Sequence, residues 1–111
     1  MESILTSIKL LLGVPEELEH FDKQIIMHIN TVLMTLNQIG VGVKGFRIED
    51  DTSVWNDFIP DSTDFEAVKT YVYMQVKLVF DTPTGSSTVE AYNRKSSELE
   101  WRLNIAAESN T

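Results

Sequence analysis

The 111-residue chain has no cysteine and few basic residues, with nine Lys and Arg against 17 Asp and Glu, for a formal net charge of −8. Without cysteine it cannot form a disulfide framework or a thiolate metal site. Because proteins bind nucleic-acid phosphates through clustered Lys and Arg, the acidic balance argues against a protein that grips nucleic acid.

The sequence also lacks a long apolar run. Its first residues, MESILTSIKLLLGV, place Glu2 before any base and Lys9 inside the apolar stretch, unlike a signal peptide. The stretch is also shorter than the ~20 residues that span a membrane. We therefore expect a soluble protein that is made without export and has no membrane partner. The length predicts a single domain, residues 1–111, that buries roughly two-thirds of the unfolded chain's surface.

The segment from Thr63 to Asp81 predicts a central buried helix, at about residues 63–81. Thr63-x-x-Glu66 has the pattern of a capping box at a helix start. Steps of three and four residues then place apolar side chains on two faces, with Phe65, Val68, Val72, Val76 and Val79 on one and Ala67, Tyr71, Met74 and Leu78 on the other. A helix that is apolar around most of its circumference belongs inside a bundle.

Two further helices are predicted before this one. A short amphipathic helix covers Ser3–Leu12 and ends at Gly13. It directs inward Ile4, Leu5, Ile8, Leu11 and Leu12. A long helix starts near Asp22, whose carboxylate can cap it. Its core stripe is Ile25, Ile29, Val32, Leu36 and Ile39.

Two helical segments flank or follow the central helix. A turn of helix within residues 52–59 is expected to bury Val54, Trp55, Phe58 and Ile59. The last helix opens at a second capping box, Ser87-x-x-Glu90. Its inward positions are Val89, Tyr92, Ser96, Leu99, Leu103 and Ala106. The predicted fold is therefore an all-α, small bundle of four to five helices.

Residues at about 40–58 predict an irregular loop. Gly40-x-Gly42-x-x-Gly45 matches the dinucleotide-binding pattern, but that pattern needs a strand before it and a helix after it. Here it follows a helix, so we interpret it as a helix end and a flexible turn. Phe46–Ile48 suits a short strand or a hook.

No catalytic, cofactor or metal site is predicted, and we expect that the protein is not an enzyme. The acids between Glu49 and Glu66 lack the spacing of a calcium loop, and we interpret them as a solvated surface with helix caps. His20 and His28 lack metal-ligand spacing and are expected at the surface. No nucleophile motif such as G-x-S-x-G occurs.

Two apolar pairs fall outside the predicted core stripes. Met27 and Met34 lie nearly opposite the stripe of the long helix, and Trp101 and Ile105 lie on the far side of the last helix. Other helices of the same domain could cover them, or they could form partner surfaces, since Trp and Met are enriched at interface cores. A domain of four or five helices cannot easily cover two sides of each long helix, which favours self-association.

The order of these segments resembles the head–tail connector proteins of tailed bacteriophages and prophages, a family of neck adaptors of siphophages that infect Gram-positive bacteria. The likeness covers nearly the whole chain. It is carried most by the segments HFDKQIIMHINTVLMTLNQIGVG, YVYMQVKLVFD and ELEWRLN.

The resemblance implies a structural protein of the virion, located at the head–tail junction and made in the cytoplasm of the bacterial host. It implies a ring homo-oligomer on the portal protein that extends the DNA channel and carries a tail-side neck or stopper protein. An acidic channel would repel phosphates, so DNA would pass without specific binding. No cofactor and no catalytic residue are implied.

The resemblance also assigns candidate interface residues. Trp101, Arg102 and Ile105 would face the portal or a neighbouring subunit. Met27 and Met34 are candidate interface residues because of their position off the core stripe, not because of the resemblance. The segment Gly40–Phe58 would face the tail side or the channel and become ordered by assembly.

Two alternatives remain open at the level of the sequence. One is a bacterial helical protein-interaction module without enzymatic activity, whose apolar faces bind one cellular protein. The other is a small hydrolase or metal-dependent enzyme built on the acidic segment. Metal binding that is abolished by changing Asp57, Asp61 or Asp64 to asparagine would favour this alternative.

Overall fold

The computed structural model of the chain describes residues 2–60 and 64–109. Within these residues there are five helices, α1 (Ile4–Leu12), α2 (Asp22–Gln38), α3 (Trp55–Phe58), α4 (Phe65–Phe80) and α5 (Ser86–Ser109). Among the described residues the β pairing is limited to an isolated antiparallel bridge between Ser3 and Val54. The predicted all-α bundle is confirmed, and it forms a slab of 40 × 35 × 19 Å.

Helix α4 occupies the centre of the bundle, where α1, α2 and α5 all pack against it. It buries side chains from both predicted apolar faces, namely Val68, Tyr71, Val72, Met74 and Val76. Packing on several sides explains why the helix is apolar around most of its circumference. The predicted central helix is confirmed, although its proposed cap, Thr63, lies outside the described residues.

The predicted stripe of α4 is wrong at its last member. Val79 is 59% exposed. It lines an open groove together with Gln75 of the same helix and with His28 and Thr35 of α2. The two helices are separated at this level by the groove, so no neighbouring side chain covers Val79.

Helix α1 begins and ends as predicted. The Ser3 hydroxyl accepts a hydrogen bond from the Thr6 amide, and Gly13 closes the helix with a φ of 81°, a left-handed conformation that suits glycine. The buried apolar residues are Ile4, Leu5, Ile8 and Leu12. The inward position predicted for Leu11 is wrong, because a helix of nine residues turns only one side to the core and Leu11 is exposed on its edge.

Lys9 is buried at the junction of α1, the 13–21 connection and α2. Its ammonium group donates to the carbonyl oxygens of Glu16 (2.9 Å) and Leu18 (2.8 Å) and pairs with Asp22 Oδ1 at 2.7 Å. Helix α2 starts at Asp22 as predicted, but the Asp22 side chain does not cap it. The cap position is occupied by Phe21, and no side-chain hydrogen bond caps the helix there. The capping prediction is wrong because the Asp22 carboxylate is paired with Lys9.

Two asparagines of α2 hold the irregular segment 40–48. Asn37 Nδ2 donates to the Val41 carbonyl at 3.0 Å, and its Oδ1 accepts from the Gly45 amide at 3.0 Å. Asn30 bonds both the amide (2.8 Å) and the carbonyl (2.9 Å) of Ile48. Residues 46–48 therefore form a hook rather than a strand. Contacts within one chain hold this part of the loop, contrary to the expectation that assembly orders it.

Helix α5 packs along α4 and reaches the end of α2. It begins at Ser86, so Ser87 lies inside the first turn and is not the cap that we predicted. Its predicted inward face is confirmed by the burial of Ser96, Leu99 and Leu103. Near its C-terminal end, Asn104 Nδ2 donates to the carbonyl of Ile39 at 3.1 Å.

Candidate protein-interface surfaces

Met27 and Met34 lie on the outer side of α2, where they are 57% and 54% exposed. They stand about 10 Å apart along the helix axis and line the same open groove, which encloses about 520 Å³. The opposite wall of the groove is the hook at Gly45–Arg47. We call this surface, lined among others by Lys23, Met27, Met34, Phe46 and Arg47, the methionine groove.

The hook that forms this wall packs against the core of the bundle. The Phe46 ring lies 5.5 Å from that of Phe58, which is fully buried. Gly42 makes this packing possible, because a Cβ at that position would lie 2.2 Å from the Phe58 ring. With the bonds from Asn30 and Asn37, these contacts preform the groove in the single chain.

Two bases border the methionine groove, at Lys23 on α2 and Arg47 on the hook. Both side chains are exposed. Among the described residues, the ion pairs involve neither of them. The groove therefore combines two exposed methionines with two exposed bases. One of these bases, Lys23, also lines a neighbouring groove with the acids Glu19, Asp22, Glu49, Asp50 and Asp51.

Trp101 and Ile105 lie on the outer side of α5, where they are 65% and 44% exposed. Spacings of three and four residues place Glu98, Trp101, Ile105 and Glu108 on one stripe of the helix. We call these four residues the tryptophan ridge. Arg102 lies beside the ridge, and its Nη2 is 2.8 Å from Glu98 Oε1.

The structure brings the predicted interface residues together in two groups and not in one. Met27 and Met34 belong to α2, whereas Trp101, Arg102 and Ile105 belong to α5. Helix α4 packs against both helices and separates them along most of their length. One molecule therefore presents two different apolar surfaces.

Other exposed apolar side chains were not predicted from the sequence. They are Leu10, Leu11, Leu18, Phe21, Val43 and Val79. The three consecutive leucines at 10–12 could have indicated exposed apolar residues in α1. A nine-residue helix that buries one face must leave part of such a run in solvent.

Two tyrosines of α4 have a raised pKa, through burial and through groups on α5. Burial raises the pKa of Tyr71, and the nearby Glu100 carboxylate adds to the effect by its charge and by a hydrogen bond. The hydrogen bond to Tyr92, with an O–O distance of 3.4 Å, raises the pKa of Tyr73 to about 12, and partial burial contributes to the same shift. These groups join helices and do not form an arrangement of nucleophile and base.

The acidic segment acts locally on its own backbone. Asp50 accepts hydrogen bonds from the amide and hydroxyl of Thr52, which lowers the pKa of Asp50. Asp57 Oδ2 accepts from the Val54 amide at 3.0 Å, at the start of α3. Within residues 2–60 and 64–109 no group of three or more His, Asp or Glu side chains is arranged to hold a metal ion. Asp61 of the alternative hydrolase site lies outside these residues.

The chain was compared with models of known protein families, with curated proteins and with solved structures. A family model described as phage connector protein matches residues 4–110, nearly the whole chain. The comparison with curated proteins and the comparison with solved structures gave no match. In the part of the chain that the structure describes, no helix is long and apolar enough to cross a membrane.

Proposed function

The chain belongs to the phage connector protein family, and from this premise we propose that it is a structural adaptor of the phage neck. In this proposal the 111 residues act as one connector domain, and copies of it form a ring on the portal protein. The ring extends the DNA channel and joins the head to a tail-side neck or stopper protein. The chain is made in the host cytoplasm and ends up at the head–tail junction of the virion.

The main support for this proposal is that a small bundle exposes two separate apolar surfaces. In a ring each subunit touches its two neighbours through different surfaces, so a ring subunit needs two. The methionine groove and the tryptophan ridge meet that requirement on α2 and α5. Large apolar side chains clustered in this way are typical of interfaces in soluble proteins.

The charge of the chain supports the proposed channel. Each subunit carries a formal charge of −8, so a ring of copies surrounds its axis with a strongly negative potential. DNA phosphates are repelled by such a wall, which lets the duplex move through without being held.

The proposal is tested with the portal protein of the phage or prophage that encodes the chain. The two proteins are mixed at high concentration and examined by negative-stain electron microscopy, with portal alone as the reference. We expect an added ring on one end of the portal. A one-to-one complex with a cellular bacterial protein, and no density on the portal, would contradict the adaptor and favour the interaction module.

A double variant supplies the matched control. Replacing Met34 and Trp101 by glutamate puts charge into both exposed surfaces without touching the buried seams of α2 and α5. We expect this variant to fold but to form no ring on the portal. A ring that still forms with the double variant would contradict the assignment of these surfaces as interfaces.

A further inference from the structure

We propose that α3 couples the irregular segment 40–48 to α1, so that displacing either one loosens the other. Energetic coupling between distant parts of a protein is carried by packed side chains, hydrogen bonds and helices. Helix α3 makes such contacts on both of its sides. This inference goes beyond the proposed function and does not depend on it, because every contact it uses lies within one chain.

On one side, α3 is held against segment 40–48 through Phe58. The Phe58 ring is fully buried and lies 5.5 Å from the Phe46 ring. The Phe58 carbonyl oxygen accepts a hydrogen bond from the Val43 amide at 2.8 Å. The backbone at Gly42 is so close that a Cβ there would lie 2.2 Å from the Phe58 ring. Because a close-packed interior leaves little free space, the segment cannot shift without moving Phe58 or losing these contacts.

On its other side, α3 is held against α1 through Trp55. The Trp55 side chain is fully buried, and its Nε1 donates to the Ser7 hydroxyl of α1 at 2.8 Å. The Ser7 hydroxyl in turn donates to the Ile4 carbonyl oxygen at 3.1 Å. Just before α3, the Ser53 carbonyl oxygen accepts a hydrogen bond from the Ile4 amide at 3.0 Å. The first turn of α1 is therefore bonded both to a side chain of α3 and to the backbone that leads into it.

The two sets of contacts are joined because Trp55 and Phe58 begin and end the same four-residue helix. A helix this short is not stable by itself, so its position depends on the contacts on both sides. Losing the contacts on one side frees α3 to move and weakens the contacts on the other side. Coupling of this kind is reciprocal, so the effect has the same size in both directions.

This coupling extends the influence of segment 40–48 beyond its own surface. The hook in this segment forms one wall of the methionine groove, whereas α1 does not line that groove. A contact that displaces the hook therefore changes how firmly α1 is attached to the bundle, without touching α1.

Two buried serines supply a matched test by amide hydrogen exchange, followed by NMR on the full-length chain. Ser7 and Ser96 are both 2% exposed. Ser7 accepts the bond from Trp55, whereas the Ser96 hydroxyl has no hydrogen-bond partner among the described residues. We expect Ser7→Ala to speed exchange of the Val43 amide at least about five-fold, the low end of couplings between distant sites. Ser96→Ala, the control, should leave this rate unchanged.

The reverse direction is tested with Phe46→Leu, which removes the ring contact with Phe58. We expect the Ile4 amide, which donates to the Ser53 carbonyl, to exchange faster by a factor similar to that at Val43. The control is Lys44→Ala, an exposed position in the same segment, which should leave the Ile4 rate unchanged.

Amides in the buried parts of α4 and α5, at Val76 and Leu103, report global unfolding in each variant. If exchange at Val43 quickens only as much as at these two amides, Ser7→Ala has weakened the whole fold and the coupling is overturned. An unchanged Val43 rate in the Ser7→Ala protein would overturn it as well. The measurement uses the isolated chain, so neither result bears on the adaptor role.

Discussion

The ammonium group of Lys9 lies 2.7 Å from Asp22 Oδ1, although the Lys9 side chain is only 3% exposed. The same ammonium group also donates hydrogen bonds to two carbonyl oxygens of the 13–21 connection. A buried cation of this kind is stable only when its donors are used. It joins the end of α1 to the start of α2 across a segment with no helix of its own.

We expect Lys9→Met to destabilise the fold by about 2–4 kcal/mol, because it leaves the Asp22 carboxylate and two carbonyl oxygens without their donor. Urea unfolding followed by circular dichroism measures the change. The control is Lys69→Met, which removes an ion pair with Glu2 nearer the surface and should cost less than about 1 kcal/mol. Equal losses in the two variants would show that burial does not strengthen the Lys9 contacts.

Gly42 and Gly45 form a matched pair for testing the wall of the methionine groove. Both have a positive φ, 82° and 79°, but a Cβ at Gly42 would lie 2.2 Å from the Phe58 ring, while one at Gly45 would meet open space. Gly45→Ala should cost about 1–2 kcal/mol for the left-handed backbone alone. Gly42→Ala should cost about 1–3 kcal/mol more, because the ring must move.

The free energy of unfolding of the two variants, from urea titrations, is the measurement. Similar losses would mean that Phe58 can move aside without cost, and that its packing against Phe46 does not fix the hook.

Trp101→Ala should leave the stability of the isolated chain almost unchanged, within about 0.5 kcal/mol, since the side chain is mostly in solvent. It should abolish assembly on the portal, because a large aromatic side chain in an interface centre often dominates binding. The control is Leu103→Ala, two positions along α5 and buried, which should cost about 2–5 kcal/mol. A loss of several kcal/mol in the Trp101 variant would instead place this residue in the core.

Stability should fall as pH rises from 10 towards 12. The pKa of Tyr73 is about 12 in the folded chain against an ordinary value of 10.0, so the unfolded state loses its proton first. The stabilisation is therefore fully present below pH 10 and is lost as pH rises through the folded pKa. Tyr71, whose pKa is also raised, acts in the same direction.

Tyr73→Phe should make this decline shallower, as measured by the urea midpoint at several pH values in that range. A Tyr73→Phe protein with an unchanged decline would show that the hydrogen bond to Tyr92 does not control the proton of Tyr73.

The positions of the helices were predictable because helical periodicity is a local property of the sequence. The apolar steps of α4 implied a helix covered on several sides, and α1, α2 and α5 cover it. The exposure of Val79 could not be predicted from the local sequence, because it depends on the gap between α2 and α4.

The candidate interface residues were predictable in part. Periodicity indicated that Met27, Met34, Trp101 and Ile105 lie off the core seams, and all four are exposed. It did not indicate that residues 45–47 build a wall beside the two methionines. That wall depends on Asn30 bonding Ile48, 18 positions away, and a polar residue in a helix pattern does not show which distant backbone group it will bind.

The sequence by itself determined that this protein is a helical bundle with one central helix and with more apolar surface than its core covers. Spacing along the chain sets which side chains share a helix face, and composition sets the acidic charge. The tertiary structure alone decided that Lys9 is buried against Asp22 and that the methionines line a groove with a basic rim. Both features come from groups far apart in the chain, and only packing brings their donors and acceptors within bonding distance.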